Sequence, residues 1–234
     1  MHKTNSPAIF VIIPAFNEQN AVCNVISEIP KDLVDEVIVV NNGSTDNTVK
    51  QALSCGATVL DESIKGYGIA CLKGIDYLKN KPINNSDIVV FIDADFSDFP
   101  SEMPKLVEPI KTNRADLVIG SRALGKKEIG SMTPQQVFGN WLATSLLKLF
   151  YKVEFTDLGP FRSIRFDKLL QIDMQDKTYG WTVEMQLKAA KQGLRCMEIP
   201  VNYRRRIGKS KVSGTVKGTI LAGYKILWTI FKYL

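Results

Sequence analysis

The chain has 234 residues, 45% of them hydrophobic and 23% charged, which is enough apolar content for a sizeable core and excludes a disordered chain. Its net charge of +6 is unevenly placed, because eight Lys and Arg and no acid follow Glu198, leaving −2 on everything before. That concentration points to a local anionic partner, a phosphate or a membrane surface; no zinc-finger spacing, RNP-like aromatic motif or repeat supports nucleic acid, and the single histidine, His2, removes histidine triads and histidine metal sites.

AIFVII (8–13) reads as a buried strand that Pro14 ends, too short for a signal peptide or a spanning helix. Val22, Val25, Ile26 and Ile29 then recur at helical spacing until Pro30. DEVIVV (35–40) is a second strand, STDNTVKQALSCG a helix with Ser, Thr and Asp as caps and Gly56 as its stop, and ATVL (57–60) a third strand. A helix over about 69–79, the strand IVVFI (88–92), a helix near 104–111 and the strand DLVIG (116–120) continue the alternation. The second half is less regular: a long apolar helix within SMTPQQVFGNWLATSLLKLFY, a short strand FRSIR, a helix WTVEMQLKAAKQG stopped by Gly193, and a returning strand RCMEIPVNY. The expected class is α/β, a mostly parallel central sheet covered by helices on both faces. Cys23, Cys55, Cys71 and Cys196 form no CxxC pair and read as reduced thiols of a cytoplasmic protein, with no disulfide expected.

Residues 1–211 are expected to be one domain, and 212–234 to be different in kind. There Lys217, Lys225 and Lys232 fall within one sector of roughly 80° on a helix otherwise rich in Ile, Leu, Trp, Tyr and Phe. No uncharged interval approaches the roughly 18 residues that span a bilayer. One reading is an amphipathic interfacial helix, lysines toward headgroups and Trp228 and Phe231 toward acyl chains. The other is a helix packed on the domain or on a second copy.

In open parallel sheets ligands bind beyond the carboxyl ends of the strands, and the polar clusters lie there: AFNE, NNGSTD, DADFSD and SR. Asp93 and Asp95, one residue apart after an apolar run, have the spacing to bracket Mg²⁺ or Mn²⁺ on a diphosphate; the alternative is a solvated turn with Asp98 or Ser101 capping the next helix. Lys65, in KGYGIA, stands where glycines let backbone approach a ligand. Asn17, Glu18, Asn41 and Asn42 offer hydrogen-bonding edges for a base and ribose, although each motif taken alone is also an ordinary turn. Arg122, Arg162, Arg204, Arg205, Arg206, Lys209 and Lys211, with Gly208 and Ser210 interleaved, read as a phosphate site beside the apolar tail; the alternative is a solvated basic stretch.

Together PAFNE, NNGSTDNT, KGYGIA and FIDADFSD resemble the nucleotide-sugar half of family 2 glycosyltransferases, which have the GT-A fold. TDLGPFRSIR, YGWTVEMQLKAA and YRRRIGKSKVSGT are similar to the acceptor half of the branch holding dolichol-phosphate mannose synthases and bacterial polyprenyl-phosphate glycosyltransferases. The resemblance implies a nucleoside pocket lined by Pro14, Ala15, Asn17 and Glu18, with Asp93, Ala94 and Asp95 at the ribose, diphosphate and metal and Lys65 near the nucleotide. Asn41 and Asn42 replace the aspartates usual in the family, which leaves the base open, and Ser97 replaces a frequent metal-binding glutamine, which leaves the third protein ligand open, with Asp98 as a candidate.

The implied function is inverting, metal-dependent transfer of a sugar from a UDP- or GDP-linked donor to a polyprenyl phosphate, at the cytoplasmic face of a membrane. A phosphate monoester is already largely ionised at neutral pH, its second pKa being about 6, so it requires little base. A hydroxyl acceptor would require one, with Asp157 or Glu184 as candidates; both also have structural readings, as a turn residue and as a first-turn carboxylate. Two other readings are nucleotidyl transfer, which PAFNE in place of a glycine-rich loop opposes, and a non-catalytic nucleotide-sugar or lipid-phosphate binder, which the intact DAD opposes.

Overall fold

The computed structural model describes residues 6–208, 210 and 215–234. Seven strands form one sheet: β1 (Ile9–Ala15), β2 (Glu36–Asn41), β3 (Thr58–Asp61), β4 (Ile88–Phe91), β5 (Leu117–Ser121), β6 (Arg162–Arg165) and β7 (Cys196–Pro200), in the order β3-β2-β1-β4-β6-β5-β7. β6 runs antiparallel to both β4 and β5, while the other neighbouring pairs are parallel. The helices are α1 (Val22–Glu28), α2 (Thr48–Ser54), α3 (Tyr67–Lys79), α4 (Met103–Lys111), α5 (Pro134–Tyr151), α6 (Phe166–Ile172), α7 (Trp181–Lys191) and α8 (Val216–Lys232). The expected α/β class and mostly parallel sheet are present. α6 was not foreseen, because FDKLLQI is too short for its periodicity to stand out.

Successive strand residues feed opposite faces, as the two-residue pleat requires. Phe10, Ile12, Val89 and Phe91 join the core beneath α3, α5 and α7, where Trp181 meets Phe91 edge-on at 5.8 Å. Ile9, Val11, Ile13, Val90 and Ile92 join the core beneath α1 and α4. Burial on both faces is why each strand reads as a continuous apolar run rather than an alternating one. α5 begins where TPQQ predicts a start, with Thr133 and Gln136 forming a reciprocal capping box and Pro134 in the first turn.

Two expectations fail. Cys23 and Cys55 form a disulfide, Cα–Cα 5.8 Å, because α1 and α2 lie side by side and bring together cysteines 32 positions apart in the chain. Cys71 and Cys196 remain thiols. Neither Asp98 nor Ser101 caps α4: no side-chain cap bond is made there, and Ser101 donates instead to Glu28 Oε1 at 2.8 Å.

On the far side of the sheet from the strand ends that carry the motifs, Asp116 accepts from the Arg195 guanidinium at 2.8 and 3.0 Å, with Arg165 at 3.5 Å. These arginines hold the carboxyl at about 2, below its ordinary 3.8, the hydrogen bond from Arg195 being the main cause. The folded state therefore takes up its proton later than the unfolded chain, and the stability from this cluster is complete above about pH 4 and lost as pH falls toward 2. Thermal melts from pH 5 to 2.5 should fall more steeply for the native chain than for Asp116→Asn.

Candidate active site

The carboxyl ends of β1 and β4, with the N-terminal end of α3, enclose a cavity of ≈ 300 Å³. Pro14, Ala15, Glu18, Asn42, Lys65, Asp93, Ala94, Asp95, Arg206 and Ser210 of the sequence-derived set line it. Phe16, Tyr67 and Tyr179 line it as well. All three lie inside motifs that had been read for their charged and amide groups, so their proximity was legible even though their role as walls was not. Lys65 Nζ lies 4.8 Å from the centre of the Phe16 ring, a cation held over an aromatic face at the cavity wall.

Asn41 and Asn17 do not line the cavity but build the loops that do. Asn41 donates to Asp61 Oδ1 (2.7 Å) and accepts from the backbone of Ser44 (2.9 Å). Asn17, at φ 53°, accepts from the backbone of Thr45 at 2.8 Å, pinning the first strand-end loop to the second. Asn42 donates to the carbonyls of Glu62 and Ile64 and accepts from Gly66 N at 2.7 Å, which fixes the approach to α3. An amide both donates and accepts, and these contacts use both functions, which a carboxylate at either position could not do.

The two acids differ. Asp95 is buried: its Oδ1 accepts from Ser97 N (2.9 Å) and Ser97 Oγ (2.5 Å), and its Oδ2 lies 3.0 Å from Arg206 Nη1. Arg206 also reaches Glu18 Oε1 at 2.7 Å, so one guanidinium bridges two carboxylates across the cavity. Asp93 is less covered as a residue, but its Oδ1 is buried and unbonded. Burial raises its carboxyl to about 7, with the charge of Asp95 adding to the effect and the Tyr67 hydroxyl, Arg206 and Arg122 offsetting part of it. Ser97 orients Asp95 through both its backbone N–H and its hydroxyl. Asp98 is buried with both oxygens unbonded, and burial holds its carboxyl well above the usual range.

An oxygen-only donor set of two carboxylates separated by one residue, one of them with an orphaned buried oxygen, fits a hard divalent cation whose remaining ligands come from phosphate and water. Among the described residues no group of three or more His, Cys, Asp or Glu comes together.

The acceptor-side residues disperse. Arg122 is locked bidentate on Asp157, Nε to Oδ2 and Nη2 to Oδ1 both at 2.7 Å. Burial would raise Asp157, but the Arg122 charge and hydrogen bonds outweigh it and hold the carboxyl below its ordinary value. Arg162 is fully buried at the start of β6, an interior strand, where it donates to the carbonyls of Gly159 and Thr182. Arg204 lies sandwiched between Phe96 and Phe99 and donates to Glu28, a structural strap. Arg205 donates to the carbonyl of Ile129 on the surface. Of the basic run only Arg206 and Ser210 face the cavity; Lys209 and Lys211 lie outside the described residues.

Glu184 also lies outside the cavity. Its fully buried carboxylate accepts from Gln175 N, Asp176 N and the Tyr233 hydroxyl and pairs with Lys188.

The profile of glycosyl transferase family 2 matches residues 10–172. This chain is a family 2 glycosyltransferase. The transferase is 34% identical over 217 residues to an uncharacterized glycosyltransferase of Mycobacterium tuberculosis, covering 92% of this chain and 94% of that one. It is 31% identical over 224 residues to the undecaprenyl-phosphate mannosyltransferase of Micrococcus luteus, covering 90% and 89%. Among solved structures, glucosyl-3-phosphoglycerate synthase from Mycobacterium tuberculosis, crystallised with Mn²⁺ and UDP-glucose, superposes with a TM-score of 0.75 at 25% identity, over 97% of the transferase and 79% of that chain. The architecture of the transferase is thus the GT-A type that its motifs imply.

Proposed function

We propose that this transferase moves a sugar, with inversion, from a UDP- or GDP-linked donor to a polyprenyl phosphate at the cytoplasmic face of a membrane. The observation that carries the reading is the cavity in which Asp93, Asp95, Lys65 and Arg206 converge beyond the strand ends. Pro14, Ala15, Phe16, Glu18 and Asn42 would hold the nucleoside, with Asn17 and Asn41 behind them. Asp93 and Asp95 would hold Mg²⁺ or Mn²⁺, and a divalent cation bound there supplies positive charge to the departing diphosphate. Lys65 and Arg206 add fixed positive charge where negative charge develops. The relatives named above support a lipid-phosphate acceptor and a Mn²⁺-dependent, UDP-linked donor.

A second observation favours phosphate over hydroxyl as the nucleophile. The two acceptor-side acids, Asp157 and Glu184, are both fully engaged, and Asp157 is held below the ordinary carboxylate range, which makes it a poor base. An ionised phosphate attacks the anomeric carbon without one. A panel of UDP- and GDP-sugars with Mg²⁺ or Mn²⁺, with and without a short polyprenyl phosphate, decides this. Transfer to the lipid phosphate is expected; transfer to a soluble alcohol and to no lipid phosphate would overturn the acceptor assignment.

Membrane contact is proposed for a two-helix face. α8 packs on α5, with Phe150 meeting Phe231 at 5.7 Å, and the outer side leaves Phe138, Trp141, Leu149, Ile220, Tyr224 and Trp228 exposed. Neither helix contains an acid, whereas lysines stand at 148, 217, 225 and 232, a charge balance suited to an anionic lipid surface. Lys225 differs from the sequence reading: it turns inward to Asp176 Oδ2 at 3.0 Å and is no headgroup contact. Among the described residues no helix is long and apolar enough to cross a membrane. Replacing Trp141 and Trp228 together by Ser should weaken co-sedimentation with anionic vesicles at least about tenfold, since each aromatic contributes roughly 1.5–3 kcal/mol when buried. Unchanged binding would refute the face.

A further inference from the structure

Between α6 and α7 the segment Asp173–Gly180 is clamped from two sides. On the cavity side it supplies Tyr179 to the wall and lies against the start of α3, where Lys177 O accepts from Ile69 N at 3.1 Å. The fit there is backbone on backbone. A Cβ placed on Gly66 would lie 2.3 Å from Lys177 O, and one on Gly68 would lie 2.0 Å from Asp176 O, so neither position tolerates a side chain without displacing the segment.

On the other side α8 holds the same segment. A Cβ on Gly180 would lie 2.3 Å from Thr229 Oγ1. Lys225 Nζ pairs with Asp176 Oδ2 at 3.0 Å, while Asp176 Oδ1 accepts from Thr178 N (2.7 Å) and Gly180 N (3.1 Å) and so shapes the turn before α7. The Tyr233 hydroxyl donates to Glu184 at 2.6 Å, and Glu184 accepts from Gln175 N and from Asp176 N, the latter also at 2.6 Å. Lys188 pairs with Glu184 at 2.9 Å and donates to Asp173 O, closing the network. Three layers therefore touch without slack: α8, the 173–180 segment, and the start of α3, which Lys65 and Gly66 immediately precede beside the cavity. α8 itself contributes no residue to the cavity wall.

We propose that α8 is a positioning element for the donor pocket: Lys225 and Tyr233, acting through Asp176 and Glu184, seat the 173–180 segment against α3 and thereby set Tyr179 and Lys65. This rests on the reading of the cavity as the nucleotide-sugar site. Close-packed layers transmit displacement rather than absorb it, so loosening the outer layer moves the inner one. Coupling of this kind is reciprocal, and nucleotide bound in the cavity tightens α8 in the same proportion.

The test compares the native transferase with Tyr233→Phe, Lys225→Gln and the double variant, using Lys111→Gln on α4 as a control that removes an equal charge elsewhere. Binding of UDP and of GDP, each with Mn²⁺, is measured by calorimetry, and hydrogen exchange of 216–232 is followed with and without nucleotide. The double variant is expected to raise the nucleotide Kd and the donor KM by about 5- to 100-fold, the usual range of coupling between two sites, with kcat at saturating donor within about twofold. The control should bind like the native protein. Nucleotide should slow exchange in α8 of the native protein and leave the double variant unaffected. Should the double variant fail to fold, Tyr233→Phe, which removes one hydroxyl, carries the test alone. Native binding with unchanged Kd in the variants overturns this proposal only; a native protein that binds neither nucleotide overturns the donor-site reading and this proposal with it.

Discussion

Asp95→Asn is expected to lower kcat/KM by at least about 100-fold, the scale on which losing one preorganised electrostatic contact costs an enzyme. The substitution is nearly isosteric, and Asn Oδ1 still accepts from Ser97, which donates from both its backbone and its hydroxyl. What disappears is the negative charge that faces Arg206 at 3.0 Å and that would hold a cation. Fold and effect therefore separate: the melting temperature should move little while Mn²⁺-dependent nucleotide binding collapses. Ser97→Ala, which keeps the charge and removes only its orientation, should cost less, about 10-fold, by analogy with the outer-shell partners of metal ligands. Calorimetric titration of UDP with Mn²⁺, alongside steady-state rates, checks both. Activity of Asp95→Asn within about threefold of the native level, with an unchanged metal requirement, would sink the assignment of this acid.

Asp157→Asn should be the most destabilising single change at the site, at about 3–5 kcal/mol, because breaking a buried ion pair leaves its partner uncompensated. Asp157 is 1% exposed and accepts from the Arg122 backbone and from both arms of its guanidinium. It is also a counter-charge for Arg162, which is 0% exposed, makes hydrogen bonds only to carbonyls, and is held at about 10 by burial, well below the ordinary arginine value. Removing the carboxylate strands two buried guanidinium groups at once. The measurement is the urea midpoint at neutral pH, with the slope of the transition unchanged. Pairing Asp157→Leu with Arg122→Met should cost less than the sum of the two single changes, since each single change breaks the same Arg122–Asp157 contact and the double change loses it only once. A loss below about 1 kcal/mol for Asp157→Asn would mean that water already screens the pair, as it does for surface ion pairs.

The fold and the cavity-lining strand ends were legible for the same reason. Strands buried on both faces announce themselves as apolar runs, and the cavity-lining groups follow each run within a few residues, as in IVVFIDAD and FVIIPAFNE. The acceptor half was legible in composition and not in role. Arg122, Arg162, Arg204 and Arg206 look alike in the sequence, yet one pairs with an acid, one is buried among carbonyls, one is sandwiched between rings and one spans the cavity. Little that is local separates them, because Arg122, Arg204 and Arg206 find partners 35 to 188 positions away, and Arg162, besides Gly159 just before it, reaches Thr182 20 positions on. The disulfide is hidden on the same ground, and so is the contact of Glu184 with Tyr233, 49 positions on.

β6 stands between β4 and β5 and is the only link between them in the sheet. During synthesis, β1 to β4 have all their mutual partners once residue 91 is out, whereas β5, finished at residue 121, has no strand to join until residues 162–165 arrive. Non-local pairing of this kind is slow because the intervening chain must be closed before any contact rewards it. The half of the sheet that carries the aspartates can therefore assemble while the nascent chain still ends in an unpaired edge at β4. A chain stopped before residue 162 keeps that edge open, apolar on both faces, and would be the species that aggregates.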